Sequence, residues 1–427
     1  MNASVQAPGR QPPAPREPRP ARRAWLRWTL RLLLGGLTIA FLLAVYVCIQ
    51  LTTNPAFGGH PRGERLARMQ ESPQWHDGRF ANPQPQWSDL RSAWLHLLFG
   101  EATPDAAPGE PVPMVPTDPR AIAVPPASGL RATWFGHSSM LVEIEDAAVL
   151  IDPLWSERPS PISWIGPKPF YAPPIALEAL KERVDAVVIS HEHYDHLDHA
   201  TVVAMRSWRA VFIVPLGIGA HLEHWGIPAA RIRELDWWQS TSLAGLEVVA
   251  TPARHSAGRL SFGPRSLWAG FALVGRQHRV WYSGDTGFHS TLAEIGQRLG
   301  PFDLTLIDAG QYDADWPDAH LGPELAVEAH RQVRGKVMMP VHWAYLVQAN
   351  HAWTEPVERV LAAARCHAVE VVTPAPGQSI EPSAALRGTT WWPQDIPWRG
   401  AVDRPIRGTE NGKPTERIPV RDCPEPR

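Results

Sequence analysis

The sequence is poor in cysteine and carries almost no net charge. Its three cysteines, Cys48, Cys366 and Cys423, are too few and too scattered for a disulfide scaffold. None lies near the histidine-rich stretch at 190–199, so a metal site there would be built without thiolate. The formal net charge of −2 argues against a nucleic-acid partner. With 427 residues, 44% of them hydrophobic, the chain can bury one large core or two modest ones.

Long apolar runs are also scarce, and the longest lies near the N-terminus. Residues 32–49 carry no formal charge and are numerous enough to cross a membrane as a helix. The arginines before this run predict a cytoplasmic N-terminus, with everything after residue 51 on the non-cytoplasmic, periplasmic side. A cleaved signal peptide is the alternative, but the length of the run and the lack of a small-residue cleavage site favour an uncleaved anchor at 24–51. These arginines are Arg10, Arg16, Arg19, Arg22, Arg23, Arg27 and Arg31.

The remainder of the chain divides by composition. Residues 1–23 are rich in proline and arginine, which predicts a disordered tail. Residues 52–128 are rich in proline and glycine and are expected to form a connecting arm, with one short amphipathic helix near 92–99. The folded, catalytic part is expected at 129–378. Residues 379–427 form a proline-rich tail that either packs on this domain or stays loose.

The folded part alternates apolar runs with a helical segment, which predicts an α/β domain. Runs of β-branched and apolar residues bounded by turn residues are typical of buried strands. A helical pattern covers 324–333. Strands are predicted within 132–151, joined by a turn at Glu145-Asp146 and ending with the run 147–151, and at 184–189, 210–215, 246–252, 279–283, 303–308 and 337–341.

The stretch SHEHYDHLDH at 190–199 begins where the predicted strand at 184–189 ends. In its H-x-H-x-D-H pattern, the first two histidines can point the same way, whereas the aspartate and third histidine lie on the turn beyond. That arrangement suits two metal ions rather than one. Neutral imidazole and carboxylate are ligands that zinc prefers, and a polar surface loop is the alternative. The candidate ligands here are His191, His193, Asp195 and His196.

Further candidate ligands follow other predicted strands. His255 follows the strand at 246–252, and His342 follows the strand at 337–341. Asp285 lies in a Gly-Asp-Thr-Gly turn, where glycine permits a tight turn and the carboxylate can bridge two ions. Taken alone each could be an ordinary polar residue, but their joint occurrence at strand ends favours a shared metal centre. Asp152, after the strand at 147–151, either orients a metal-bound histidine or only ends its strand.

The order of these donors resembles that of the metallo-β-lactamase superfamily, whose fold is an αββα sandwich with the metals at one edge. A narrower resemblance, over about 130–365, is to the branch of N-acyl-phosphatidylethanolamine-hydrolysing phospholipase D. The stretches that carry it are Thr133–His137 (TWFGH), 165–168 (IGPK), 189–198, 214–217 (VPLG), 234–238 (ELDWW) and 300–304 (GPFDL).

The resemblance implies a ligand set and a substrate contact. It assigns His191, His193 and His255 to one zinc ion and Asp195, His196 and His342 to the other, with Asp285 as the bridge. It also places His320 close to the substrate phosphate, although a surface histidine before a helix is the alternative. Asp195 and His320 are therefore the expected catalytic residues. The membrane span, absent from the animal enzyme, and the acidic stretch at 309–313 are departures from the family.

The expected function is that of a membrane-anchored binuclear zinc hydrolase. Two zinc ions about 3.5–4 Å apart lower the pKa of a shared water and produce a hydroxide that attacks phosphorus or a carbonyl. With N-acyl-phosphatidylethanolamine, the products would be phosphatidate and an N-acylethanolamine. The alternatives are hydrolysis of lactones, thioesters or β-lactams, and a non-catalytic membrane scaffold. A redox di-iron site is disfavoured because His193 stands where that variant usually has Glu. Acyl specificity and oligomeric state stay open.

Overall fold

The computed structural model describes residues 20–89, 91–93, 95, 100, 103–259, 265–384 and 390–420, together with Gly9. Most of the tail expected at 1–23 and most of the short helix expected at 92–99 lie outside the described residues, as does the end of the C-terminal tail. The chain forms two units, Met1–Asn54 and Pro55–Arg427.

The first unit is dominated by helix α1, Pro20–Thr53. Within its part Ala24–Thr53, the most apolar 18 residues have a mean hydropathy of 2.6, and other parts of the protein bury none of these residues. At about 1.5 Å per residue, a 30-residue helix exceeds the roughly 30 Å of a bilayer's hydrocarbon core. By length and composition, this helix could cross a membrane.

The second unit is built on two mixed seven-stranded sheets and one small hairpin. The first sheet has the spatial order 16-3-4-5-6-7-8 and the second 15-14-13-12-11-10-9, in the strand numbering that follows. In chain order the strands are β1 (Trp75–His76), β2 (Arg79–Phe80), β3 (Leu130–Gly136), β4 (Ser139–Ile144), β5 (Ala147–Ile151), β6 (Ala186–Val188), β7 (Val211–Pro215), β8 (Ile232–Leu235), β9 (Ser240–Leu243), β10 (Leu246–Thr251), β11 (Gly270–Val274), β12 (Arg279–Tyr282), β13 (Phe302–Asp308), β14 (Gly335–Val341), β15 (Glu370–Val371) and β16 (Ser379–Ile380).

Helices cover the outer faces of both sheets. The helix α6, Leu292–Leu299, shows why, because its Leu292, Ile295 and Leu299 are spaced to form one apolar face. That face joins the apolar cluster on the outside of the second sheet. The helices of the second unit are α2 (Gly63–Gln70), α3 (Pro119–Ala123), α4 (His199–Ala204), α5 (Gly219–His224), α6 (Leu292–Leu299), α7 (Pro323–Gln332) and α8 (Glu355–His367).

The core has three layers because both faces of the central strands are buried. In β4, Met140 and Val142 point into the cluster between the sheets, whereas Leu141 points into the cluster outside the first sheet. This alternation follows from the period of two in a strand, and burial on both faces explains the continuous apolar runs in the sequence. The predicted αββα sandwich is confirmed.

The parallel pairing of the central strands brings their ends together at one edge. Strands β5 to β8 are parallel in the first sheet, as are β12 to β15 in the second. The carboxyl ends of such strands form the usual binding edge of an open α/β sheet. Most candidate ligands follow these strands. The fold therefore brings them together at the carboxyl edge of the two sheets.

The segments before and after the sandwich also pack on it. Met69 and Phe80 belong to the cluster between the sheets, which the expectation of a connecting arm did not include. Near the C-terminus, Trp392 is buried in the same cluster. Cys366 is disulfide-bonded, whereas Cys48 is free.

Candidate metal centre

The structure brings the predicted ligands together in two adjacent groups. The carboxylate of Asp285 faces both, since its Oδ2 lies 3.7 Å from Nε2 of His191 and 3.1 Å from Nε2 of His196. Within each group, the donor atoms lie within 4.8 Å of one another. The first group is His191, His193, His255 and Asp285, and the second is His137, Asp195, His196 and His342.

The spacing in the first group fits a single tetrahedral ion. Nε2 of His255 lies 3.3 Å from Nδ1 of His193 and 3.8 Å from Oδ2 of Asp285. Zinc binds such ligands at about 2 Å, and tetrahedral geometry then separates two ligands by roughly 3.3 Å. These residues could therefore hold one zinc ion.

The second group contains one histidine that was not expected from the sequence. Nε2 of His137 lies 3.0 Å from Oδ2 of Asp195, and His137 is fully buried. The predicted members are also close, with Nε2 of His196 3.6 Å from Oδ2 of Asp195 and Nδ1 of His342 3.4 Å from Oδ1 of Asp285. The only sequence signal for His137 is its position directly after a strand, at the end of the TWFGH stretch.

Burial keeps most of these histidines neutral. It lowers the pKa of His191, His193 and His342 below the usual value, and that of His255 to about 3. A neutral imidazole has a free lone pair and is the form that binds a metal. Nδ1 of His255 must carry the proton, because it donates to the carbonyl of Ala319 at 2.9 Å. Its Nε2 is therefore free to act as a ligand.

His196 is the exception, because it lies among carboxylates. Burial lowers its pKa, but the charges of Asp285 and Asp195 outweigh burial and raise the pKa well above the usual value. Nε2 of His196 and Oδ1 of Asp285 are buried without a hydrogen-bond partner among the described residues. Leaving such groups unpaired is costly, and a cation between them would satisfy both. This donor set therefore fits a second metal ion.

Asp152 orients His196 from the side opposite to the donors. Its Oδ2 accepts hydrogen bonds from Nδ1 of His196 at 2.7 Å, from the Tyr282 hydroxyl at 2.5 Å and from the Ser190 hydroxyl at 2.6 Å. A carboxylate that fixes the ring and tautomer of a ligand histidine is usual in metal centres. Of the two sequence interpretations of Asp152, the structure favours the orienting one.

Several residues at the centre adopt a left-handed backbone. The φ angles are 50° at His137, 37° at Asp152 and 66° at His342. Non-glycine residues rarely adopt this region, and it costs of order 1 kcal/mol or more for each. Gly284, next to Asp285, has a φ of 59°, as expected for the tight turn. Such backbone strain is typical of functional sites.

His320 forms an ion pair beside the donor groups. Its Nδ1 lies 2.9 Å from Oδ2 of Asp308, and its ring stacks on His342 with centroids 5.1 Å apart. Burial opposes protonation, but the charge of Asp308 raises the pKa of His320 to about 9. Burial in turn raises the pKa of Asp308 to about 6. Asp308, the last residue of β13, was not recognised from the sequence, where an aspartate at a strand end is common.

The donors open into a cleft of about 690 Å³. Its polar lining includes Gln348, whose Nε2 donates to Oδ2 of Asp195 at 2.8 Å. The rest of the wall combines amide and apolar side chains. The lining residues beyond the donors include Pro159, Pro167, Gln311, Trp316, His320, Val347, Ala349 and Asn350.

Comparison with known proteins identifies the family of the chain. Residues 147–343 match the model of the beta-lactamase superfamily domain. An uncharacterized protein of Mycobacterium tuberculosis is 43% identical over 86% of this chain and 99% of its own. N-acyl-phosphatidylethanolamine-hydrolyzing phospholipase D 1 of Caenorhabditis elegans is 36% identical over 55% of this chain and 69% of its own. A metallo hydrolase structure from Ignicoccus hospitalis aligns with 59% of this chain and 97% of its own, at 23% identity and a TM-score of 0.45. The chain therefore belongs to the metallo-β-lactamase superfamily as a metal-dependent hydrolase, and its relatives include an N-acyl-phosphatidylethanolamine-hydrolysing phospholipase D.

Proposed function

We propose that the protein is a binuclear zinc phosphodiesterase of the phospholipase D type, which hydrolyses lipids resembling N-acyl-phosphatidylethanolamine. The observation that carries this proposal is the ion pair of His320 and Asp308 beside the donors. Because Nδ1 of His320 is engaged by Asp308, the protonated ring offers its Nε2–H group to an anionic phosphate oxygen. The carbonyl oxygen of a lactone or β-lactam ring is neutral, so a hydrogen bond from this charged donor would stabilise it less than it stabilises an anionic phosphate oxygen.

The proposed ligands divide between the two groups. His191, His193 and His255 would hold one zinc ion, and Asp195, His196 and His342 would hold the other, with Asp285 between them. When bound, such a pair of ions supplies Lewis acidity and activates water. Nε2 of His196 is directed by Asp152, while Gln348 and His137 both bond to Oδ2 of Asp195.

Exposed apolar side chains near the cleft support a lipid substrate. Val347 lines the cleft and is 41% exposed. Trp164 and Ile165 are exposed at the tip of a loop whose two ends, Pro159 and Pro167, also line the cleft. Exposed apolar side chains beside a cleft are typical of surfaces that contact lipid or protein. Acyl chains could therefore lie against this rim while the phosphodiester reaches the donors.

The proposed location is a single-pass membrane protein with a cytoplasmic N-terminus and a periplasmic catalytic unit. The arginines before the apolar run 32–49 support this orientation. The disulfide at Cys366 supports it independently, because disulfides persist in oxidising compartments. A compartment-sensitive reporter fused after Arg427 tests the orientation. A cytoplasmic signal from the intact chain would contradict it.

Substrate assays with the purified full-length, zinc-loaded protein test the activity. We expect release of phosphatidate from N-acyl-phosphatidylethanolamine and of nitrophenol from bis-(p-nitrophenyl) phosphate. His191→Ala and Asp195→Asn should be nearly inactive. The control is His330→Asn, which changes a buried histidine of α7 outside the cleft. Turnover of lactones or β-lactams by a protein that leaves every phosphodiester intact would refute the proposal.

A further inference from the structure

A buried guanidinium holds the main chain of the metal-binding loop, 191–197. Arg259 is 1% exposed, and its Nη1 donates to two carbonyl oxygens of the loop, that of Glu192 at 2.8 Å and that of Leu197 at 2.7 Å. These carbonyls lie near the two ends of the H-x-H-x-D-H motif. One nitrogen atom therefore fixes the distance across the loop that carries four of the candidate ligands.

The other side of the same guanidinium is held by the segment 55–58, which follows directly after Asn54. Nη2 of Arg259 donates to the carbonyl of Ala56 at 2.8 Å, and Nε donates to the same oxygen at 3.3 Å. The neighbouring carbonyl, that of Pro55, accepts a hydrogen bond from the Trp225 indole at 2.7 Å. Segment 55–58 is therefore bonded to the residue that fixes the loop.

Segment 55–58 also packs against a second support of the loop. A Cβ atom on Gly58 would lie 1.9 Å from Nδ1 of His221, so only glycine fits there. Nε2 of His221 lies 2.8 Å from Oε2 of Glu192, the residue between the first two histidines of the motif. Burial keeps the pKa of His221 below its usual value, and the neutral ring therefore donates this hydrogen bond from Nε2.

The charge of Arg259 is stabilised without an ion pair. Among the described residues, no carboxylate oxygen lies within 4.0 Å of its guanidinium nitrogens, and its Cζ stacks 4.0 Å from the Tyr194 ring centroid and 5.1 Å from that of Trp225. Burial lowers its pKa to about 10, which leaves it protonated at neutral pH. An ammonium group keeps the charge but not the planar fork that binds three carbonyl groups and stacks on two rings, so lysine can replace only part of these contacts.

We propose that Arg259 is a positioning residue for hydrolysis, and that segment 55–58 is part of the support of the metal centre rather than of a connecting arm. The guanidinium sets the main-chain path from Glu192 to Leu197 and thereby the relative positions of Asp195 and His196. The segment next to the apolar helix holds the guanidinium in place. The kinetic part of this inference rests on the proposed function, whereas its structural part concerns the loop alone.

The full-length protein with Arg259→Met and Arg259→Lys tests the proposal. We expect a fall in kcat of about tenfold to a hundredfold for Arg259→Met on bis-(p-nitrophenyl) phosphate, with KM unchanged, because misplaced donors affect the reaction more than binding. The visible spectrum of the cobalt-substituted protein should change, and amide exchange at 192–197 should accelerate in the metal-free protein. Arg259→Lys should recover part of each effect.

The chain offers a matched control in Arg231. This arginine also donates to three backbone carbonyls, those of Ala210, Arg206 and Met205, and its Cζ lies 5.5 Å from the Phe212 ring centroid. Arg231→Met should leave the cobalt spectrum, the exchange at 192–197 and kcat as in the wild type. Equal effects of the two methionine variants would mean a general loss of stability and would overturn the proposal.

A second pair of variants tests the segment itself. Gly58→Ala should reproduce the exchange and spectral changes of Arg259→Met, because its methyl group displaces the segment or His221. Gly245→Ala is the control, since Gly245 has a similar φ of 78°, against 87° at Gly58, but open space around it. This pair and Arg259→Lys carry the test should Arg259→Met fail to fold.

The readouts separate this inference from the proposed function. Wild-type kinetics, spectrum and exchange in both Arg259→Lys and Gly58→Ala would refute the positioning role. Altered spectra and exchange in a protein that cleaves no phosphodiester would support the role while refuting the proposed activity.

Discussion

Replacing His320 with alanine removes the proposed donor to the phosphate while leaving the proposed ligands in place. Nδ1 of His320 is bound to Asp308 at 2.9 Å, so Nε2 is the nitrogen left for a substrate. A hydrogen bond between charged groups contributes about 1.5–3 kcal/mol. Since about 1.4 kcal/mol corresponds to a factor of ten in rate, kcat/KM should fall roughly 10-fold to 150-fold.

The assay is kcat/KM on bis-(p-nitrophenyl) phosphate and on N-acyl-phosphatidylethanolamine, together with zinc content by elemental analysis. Asp308→Asn should lower kcat/KM as well, because the neutral amide no longer favours a protonated His320. If Asp308 acts through His320, the double variant should be no worse than His320→Ala alone. The zinc content should stay that of the wild type in all three variants.

Two results would refute this reasoning. Donor atoms of Asp285, Asp308, His320 and His342 also lie within 4.8 Å of one another. Loss of zinc from His320→Ala would therefore identify His320 as a ligand rather than a phosphate contact. A further tenfold loss in the double variant would show that Asp308 acts on the reaction without His320.

Three other predictions concern the bridge, the orienting carboxylate and stability. Asp285→Asn should lower the zinc content from two ions towards one or none by elemental analysis, and unchanged content would contradict the bridging role. Asp152→Asn should weaken zinc affinity or activity about 10-fold to 100-fold in a chelator competition, since it leaves His196 unoriented. Burial lowers the pKa of His330 from 6.5 to about 4, so the unfolded chain binds the proton more tightly and stability is lost as the pH falls through this range. The loss should reach roughly 3 kcal/mol in urea unfolding and be absent from His330→Asn, and equal pH dependence of the two proteins would contradict it.

The sequence predicted the strands and candidate ligands of the centre better than the residues that hold those ligands in position. The run at 184–189 predicted a strand, and β6 occupies Ala186–Val188 within it. The candidate ligands His191 and Asp285 could be proposed from the sequence because strand ends with a histidine or aspartate form a recognisable local pattern. Parallel pairing of the strands then brings the donors together, as the resemblance to a known fold implied.

The residues that hold the candidate ligands in position could not be predicted, because their partners are distant in sequence. Arg259 contacts the carbonyl of Ala56 across 203 residues, and nothing near either residue marks the pair. Asp308 and His137 look like the polar residues that end many strands. The packing of Phe80 was missed because a single apolar residue in a stretch rich in proline and glycine carries no periodic signal, whereas the helical spacing of Leu66 and Met69 in α2 was not recognised.

The left-handed backbone at His137, Asp152 and His342 bears on whether the chain folds before or after it binds metal. Each of these conformations costs about 1–3 kcal/mol, and the packed strands around them must supply that energy. In zinc fingers, by contrast, the ion itself drives folding. We expect that in this chain packing alone holds the candidate donors in place, so that folding precedes metal binding, and that a chelator removes the metal without unfolding the protein.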